Sequence, residues 1–184
     1  MTSMPHPYDA SEPFTASRVV EAPEIPTAVV KLDDFPMYEM SSLMDGTFSH
    51  LADALAEVGI HPIGPAVVLH HRMPVDTADL EVGFPVDSPL TETLTLPSDY
   101  EVVGSVLPGG RVAAISHMGA YGGLAETWGA FTEDIGRDGE QMTYPFWEMY
   151  VSVPSPDVDP AALRTDLFSL LEPRGERVAP GPVQ

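Results

Sequence analysis

One stretch near the C-terminal end of the chain combines residue types that can do chemistry, Trp147-Glu148-Met149-Tyr150-Val151-Ser152-Val153. Apolar and polar residues alternate along it, which predicts a strand whose odd-numbered residues share one face, packed under a helix. Glu148, Tyr150 and Ser152 then share the other face. A carboxylate there can neutralise a bound cation, or accept a proton from water as a general base. If that face is open to solvent, Glu148 is instead an ordinary surface charge.

An internal repeat in the sequence helps to decide whether Glu148 is enclosed or open to solvent. Glycines and prolines recur 80 positions apart, and apolar residues match in kind within the same frame, which indicates a duplicated module. The matching pairs are Gly59/Gly139, Pro65/Pro145, Pro74/Pro154, Phe48/Trp128, Leu51/Phe131, Leu55/Ile135, Val67/Trp147 and Leu69/Met149.

Each half shows the same order of hydrophobic periods, strand, helix, strand, strand. A helix with one apolar stripe must bury it on a sheet, so the fold class is predicted as α+β, with antiparallel sheets and a ligand cleft between the halves. The predicted segments are strands at 28–32, 66–73 and 80–86, a helix over 48–58 ended by Gly59, a joining strand at 100–107, then a strand at 111–117, a helix over 121–135 ended by Gly136 and Gly139, a strand at 146–153 and an extended or mixed segment at 163–171.

The repeat places Val68 and His70 at the positions equivalent to Glu148 and Tyr150. Because a solvent-facing position rarely needs valine, this face is expected to be covered in the first half and, by pseudo-symmetry, in the second. Glu148 and Tyr150 are therefore the candidate catalytic residues. Tyr121 lies at the start of a predicted helix, facing the junction between the two halves, whereas Trp128 is first interpreted as a core residue. The candidate ligand contacts are Val68, His70, Phe84, Tyr121, Trp128 and Trp147.

Composition excludes several classes of function. Asp and Glu number 28 against 8 Lys and Arg, a net charge of −20, which argues against direct nucleic-acid binding and favours cationic ligands, although such acidity also serves solubility alone. The absence of cysteine excludes thiolate chemistry and agrees with a cytoplasmic protein. His70 and His71 are adjacent and point to opposite faces, so no metal site is predicted, and no cofactor motif is present. No apolar run reaches about 18 residues, so no membrane span is expected.

The predicted organisation is a flexible N-terminal arm over residues 1–24, a domain over 25–172 and a C-terminal tail over 173–184. Within the domain the repeats span about 25–90 and 100–172. Proline-rich, aperiodic sequence marks both ends.

With these residues in view, the chain resembles the GyrI-like family, the effector-binding domain of multidrug-sensing transcription regulators. The resemblance runs from about Val29 to Leu171 through the turn at 107–111, the segment 117–121, the helix of Leu124 and Trp128, and the Trp147–Tyr150 strand. The last matches the family's Glu-x-Tyr strand, whose glutamate lies at the bottom of the ligand cavity. The family's commoner His-x-Gly-Pro-Tyr segment has Ala120 here in place of proline.

The resemblance implies a stand-alone member that binds a bulky, planar, often cationic drug or toxin. Protection would come from sequestration, or from hydrolysis of a cyclopropane-type toxin with Glu148 activating water and aromatic residues holding the ligand. The alternatives are a ligand sensor without catalysis, or an inhibitor for which DNA gyrase is the candidate protein partner.

Overall fold

The computed structural model describes Tyr8 and residues 12–152 and 155–173. Nine strands and three α-helices lie in this part of the chain. The strands are β1 (Arg18–Ala22), β2 (Ile25–Pro36), β3 (Ala66–His70), β4 (Thr77–Pro85), β5 (Leu94–Thr95), β6 (Glu101–Leu107), β7 (Gly110–Met118), β8 (Met142–Tyr150) and β9 (Arg164–Leu171). The helices are α1 (Met40–Phe48), α2 (Leu51–Glu57) and α3 (Leu124–Arg137).

All nine strands form one antiparallel sheet in the order β1-β7-β9-β8-β3-β4-β2-β6-β5, which confirms the predicted α+β class. The inner six strands read β7-β9-β8 and then β3-β4-β2, the same module in mirrored order about the β8–β3 junction. At that junction Val68 pairs with Glu148 and Val67 with Met149. Residues equivalent in the repeat therefore meet across a pseudo-twofold axis beside Val68 and Glu148.

The helices lie on one face of this sheet. Leu43 and Leu51 pack with Val68 and Val82 in the first half, and Phe131 packs with Leu167 in the second. Trp147 and Met149 lie on the other face, in a third cluster that contains no residue of α1, α2 or α3 among those described. The prediction that their face packs under the helix is wrong, because strands and the segment around Phe14 cover that face instead.

The ends of several predicted elements differ from the structure. Residues 18–22, predicted as part of a flexible arm, form β1 and pair with β7. The predicted first helix is two helices that meet at Ser49 and His50, and it begins earlier, at Met40. The strand predicted at 146–153 begins at Met142 and ends at Tyr150.

Matching glycines end the helices of the two halves. Gly59 and Gly139 both adopt a left-handed φ of 76°, a conformation that glycine enters without steric penalty. The residue after each glycine donates its N–H back to the helix, Ile60 to Leu55 at 3.0 Å and Glu140 to Ile135 at 3.1 Å. This is the usual way in which a glycine after the last turn satisfies free carbonyls. Of the helices described, none is long and apolar enough to cross a membrane.

Candidate functional site

Glu148 lies in the middle of the sheet, on the face that carries the helices. Its strand neighbours are Val68 on β3 and Leu167 on β9, both buried and apolar. The carboxylate is half-buried, so solvent still reaches it, whereas the sequence predicted a more enclosed position. The glutamate thus stands at the boundary between the helix-covered cores of the two halves.

Two donors hold the carboxylate, one on each oxygen. The indole Nε1–H of Trp128 donates to Oε1 at 2.7 Å, and the hydroxyl of Tyr150 donates to Oε2 at 2.7 Å. An ionised carboxylate only accepts hydrogen bonds and an indole only donates them, so these groups complement each other. The hydrogen bonds fix the position of the negative charge, and the oxygens keep lone pairs for a further partner.

Tyr150 remains a hydrogen-bond donor because its phenol resists ionisation. Burial raises the pKa of Tyr150 well above its ordinary value, and the negative charge of Glu148 raises it further. The Tyr150 ring packs with the core of the first half and meets Tyr121 edge to face, with centroids 5.8 Å apart. Tyr121 is 39% exposed, so it forms an accessible aromatic edge beside the carboxylate.

A second aromatic row continues away from Glu148 on the other side. Trp128 meets Phe146 edge to face at 5.1 Å, and Phe146 stacks on the imidazole of His70 at 5.0 Å and 19°. His70 pairs with Phe146 across β3 and β8. We call the group Glu148, Tyr150, Tyr121, Trp128 and Phe146 the Glu148 site, and His70 lies beside it against Phe146.

His117 positions the aromatic residues that α3 and its leading turn contribute. Its ring is buried, and Nε2–H donates to the carbonyl of Ala120 at 2.9 Å, while Nδ1 is hydrogen-bonded to the hydroxyl of Thr127 at 2.6 Å. Ala120 precedes Tyr121, and Thr127 precedes Trp128. One imidazole therefore connects the backbone before the first aromatic to the helix turn that carries the second.

The structure brings together most of the predicted contact residues. Val68, His70, Tyr121 and Trp128 surround Glu148 and Tyr150 as described above. Phe84 packs with the same core as Tyr150 and lies edge to face on Phe48 at 5.2 Å. Trp147 does not join them, because it is fully buried on the opposite face of the sheet.

Sequence reasoning missed Phe146 and the hydrogen bonds of His117. Phe146 has the same strand parity as Glu148, so alternation alone places it on the same face. The resemblance includes the segment 117–121, but the hydrogen bonds of His117 had no signal in the sequence, because their partners are a backbone carbonyl and a threonine whose approach depends on the docking of α3. The described residues contain no group of three or more His, Asp or Glu side chains arranged to hold a metal ion.

A separate hollow of about 650 Å³ is lined by residues 12–18. Phe14 from this lining packs edge-on against Phe168, in the cluster on the sheet face opposite to Glu148. The hollow therefore does not belong to the Glu148 site.

Comparison with known proteins gives similarity at the level of structure. No family model and no curated protein matches the chain. The C-terminal domain of EcmrR superposes with a TM-score of 0.66 and 15% identity, covering 85% of this chain and 97% of that domain. In an EcmrR–DNA complex the TM-score is 0.69 at 15% identity, and the match covers 85% of this chain but only 57% of EcmrR.

Two further structures extend the comparison. SAV2435 bound to tetraphenylphosphonium has a TM-score of 0.59 and 8% identity, covering 86% of this chain and 95% of that one. A hydrolase from Listeria innocua has a TM-score of 0.57 and 13% identity, covering 88% and 94%. These likenesses establish the shared fold, which is consistent with the resemblance to the GyrI-like family.

Proposed function

We propose that the protein binds a bulky, planar organic cation at the Glu148 site and protects its host by sequestering that compound. The observation that carries the proposal is the half-buried carboxylate of Glu148, held by Trp128 and Tyr150 between the two halves of the sheet. Ligand sites with a few placed polar groups among aromatic side chains have this character.

The charges and rings of the site suit a flat cation. A carboxylate flanked by Val68 and Leu167 is shielded from water on both sides, which strengthens its attraction for a positive charge. The rings of Trp128, Tyr150 and Tyr121 add faces that attract cations. The chain's net charge of −20 raises the local concentration of cationic compounds around the molecule.

The structural neighbours support binding in general terms. SAV2435, which shares the fold, was solved with tetraphenylphosphonium, a bulky organic cation. A hydrolase from Listeria innocua also has this fold, which keeps hydrolysis as the alternative to sequestration. EcmrR contacts DNA as a longer chain, and this chain spans little more than half of it, so DNA binding does not transfer. Contact with gyrase stays a prediction from the resemblance.

Sequestration is the form of the proposal that the contacts favour. Hydrolysis would require a water molecule aligned between Glu148 and a reactive carbon of the ligand, whereas sequestration needs only the held charge and the aromatic rings that the contacts provide. Mass spectrometry of a recovered ligand tests this choice, since sequestration returns the compound unchanged.

Replacement of Glu148 by glutamine tests the proposal directly. Glu148→Gln keeps the shape of the side chain but removes its charge, so we expect the planar cation ethidium to bind about 1–3 kcal/mol more weakly. Titration calorimetry gives the affinity.

Glu133→Gln is the matched control, because it makes the same charge change at an exposed position of α3. We expect this variant to bind as the wild type does. Equal affinity in the wild type and Glu148→Gln, with both folded by circular dichroism, would remove Glu148 from the site and defeat the proposal.

A further inference from the structure

His70 carries a buried polar atom that the fold leaves unused. The residue is 7% exposed, and its Nδ1 has no hydrogen-bond partner among the residues that the structure describes. Buried polar atoms in folded proteins are nearly always paired, and an exception calls for an explanation such as a bound water or a ligand. The imidazole is therefore a candidate for a contact that the protein alone does not make.

The chemical state of the ring defines what it can bind. Burial, together with the smaller effect of the neighbouring His71, lowers the pKa of His70 to about 4, so the ring is neutral at pH 7. A neutral imidazole has one N–H and one lone pair. Buried N–H groups without an acceptor are the rarer kind of orphan, which favours the lone pair at Nδ1.

His70 lies close to Glu148 on the same face of the sheet. His70 and Val68 lie two residues apart on β3, on the same sheet face, and Val68 is paired with Glu148. His70 is therefore the diagonal cross-strand neighbour of Glu148, and such neighbours lie about 7–8 Å apart. The stack with Phe146 holds the plane of the imidazole, so its polar edge has a fixed direction. A ligand that reaches both groups must carry its charge and a second polar group on different parts of an extended ring system.

We propose that His70 is a second ligand contact of the Glu148 site and selects planar cations that also carry an N–H or O–H donor at a distance from the charge. The inference rests on the proposed function and deepens it. Glu148 holds the positive charge, the aromatic rings hold the flat surface, and the lone pair of Nδ1 accepts the donor. Aromatic cations with amino or hydroxyl groups fit this class better than cations without a donor.

A matched pair of ligands tests the inference. Ethidium is a planar quaternary cation with two amino groups, and 5-ethyl-6-phenylphenanthridinium is the same cation without them. We expect the wild type to bind ethidium about 2- to 12-fold more tightly, which is the range of one net hydrogen bond. In His70→Phe, which preserves stacking on Phe146, ethidium should lose this advantage while the other cation binds as before.

The controls separate this inference from the proposed function. Unchanged binding of the cation without amino groups shows that His70→Phe keeps its site, and His61→Phe makes the same substitution at an exposed histidine outside the site. If both cations bind the wild type and both weaken in Glu148→Gln, but their ratio is near one or is unaffected by His70→Phe, His70 is no ligand contact and the proposed function stands. If neither cation binds the wild type, both proposals fail. Even if His70→Phe does not fold, a wild-type ratio near one overturns the inference.

Discussion

Lowering the pH from 7 to 4 is expected to destabilise the folded protein by about 3 kcal/mol through His70 alone. The pKa of His70 falls from its ordinary 6.5 to about 4 on folding, chiefly because burial disfavours the charged ring. Between pH 6.5 and pH 4 the His70 side chain is mostly protonated in the unfolded chain and mostly neutral in the folded chain. Acid therefore favours unfolding: this loss begins as the pH falls through about 6.5 and is complete below about 4.

Denaturant unfolding of the wild type and of His70→Phe at pH 7, 6 and 5 measures this effect. The series ends at pH 5 because the isoelectric point is near 4.3, where the protein carries little net charge. By pH 5 the wild type should have lost about 2 kcal/mol more than the variant. The comparison cancels the other titrating groups, which the two proteins share. Parallel pH profiles would show that His70 is protonated as easily in the folded state as in the unfolded one.

Gly83→Ala is expected to destabilise the protein by about 3 kcal/mol or more. Gly83 lies in β4, between Val29 of β2 and Val67 of β3. A Cβ atom at this position would come 1.9 Å from the carbonyl oxygen of Ala28 and 2.8 Å from the Cα of Val29. Both contacts are backbone atoms of a paired strand, so no side-chain rotation relieves them. The substitution would force β2 and β4 apart near the strand pair that carries Val68.

Gly129→Ala provides the matched control, since it adds the same methyl group at an exposed position inside α3 with no atom within 4 Å. We expect it to stabilise the protein by about 0.5–1 kcal/mol, because alanine has the higher helix propensity. Thermal and urea unfolding of the two variants beside the wild type give both values. A Gly83→Ala protein as stable as the wild type would mean that the sheet is locally looser than described.

The asymmetry at the pseudo-twofold axis has a physical reason. Equivalent residues of the two halves face each other there, so a strictly symmetric duplication with glutamate in both would place two carboxylates directly opposite. Like charges in paired positions destabilise a sheet. Valine at position 68 removes that repulsion and gives Glu148 an apolar neighbour. The repeat therefore yields one negative charge at the junction, which suits a ligand with one positive centre.

Local patterns in the sequence determined most of the secondary-structure elements and showed which residues share a strand face with Glu148. The repeat of 80 residues predicted the duplicated module, and alternation around Glu148 predicted that it shares a face with Tyr150. The glycines at 59 and 139 marked the ends of the helices. Each of these features depends either on residues a few positions apart or on the similarity of the two halves, and both kinds of information can be read directly from a sequence.

Only the tertiary structure decided which face the helices cover and which distant groups meet. The alternation that separates Trp147 from Glu148 is the same whichever face the helices cover. Alternation alone therefore predicts the helix on the wrong face of the sheet. The hydrogen bond from Trp128 to Glu148, the clamp of His117 on Thr127 and the pairing of β1 with β7 each join separate elements of the fold. Such contacts arise from strand register and helix docking, which are set by the packing of the whole sheet. They produce no local periodic pattern in the sequence from which they could be predicted.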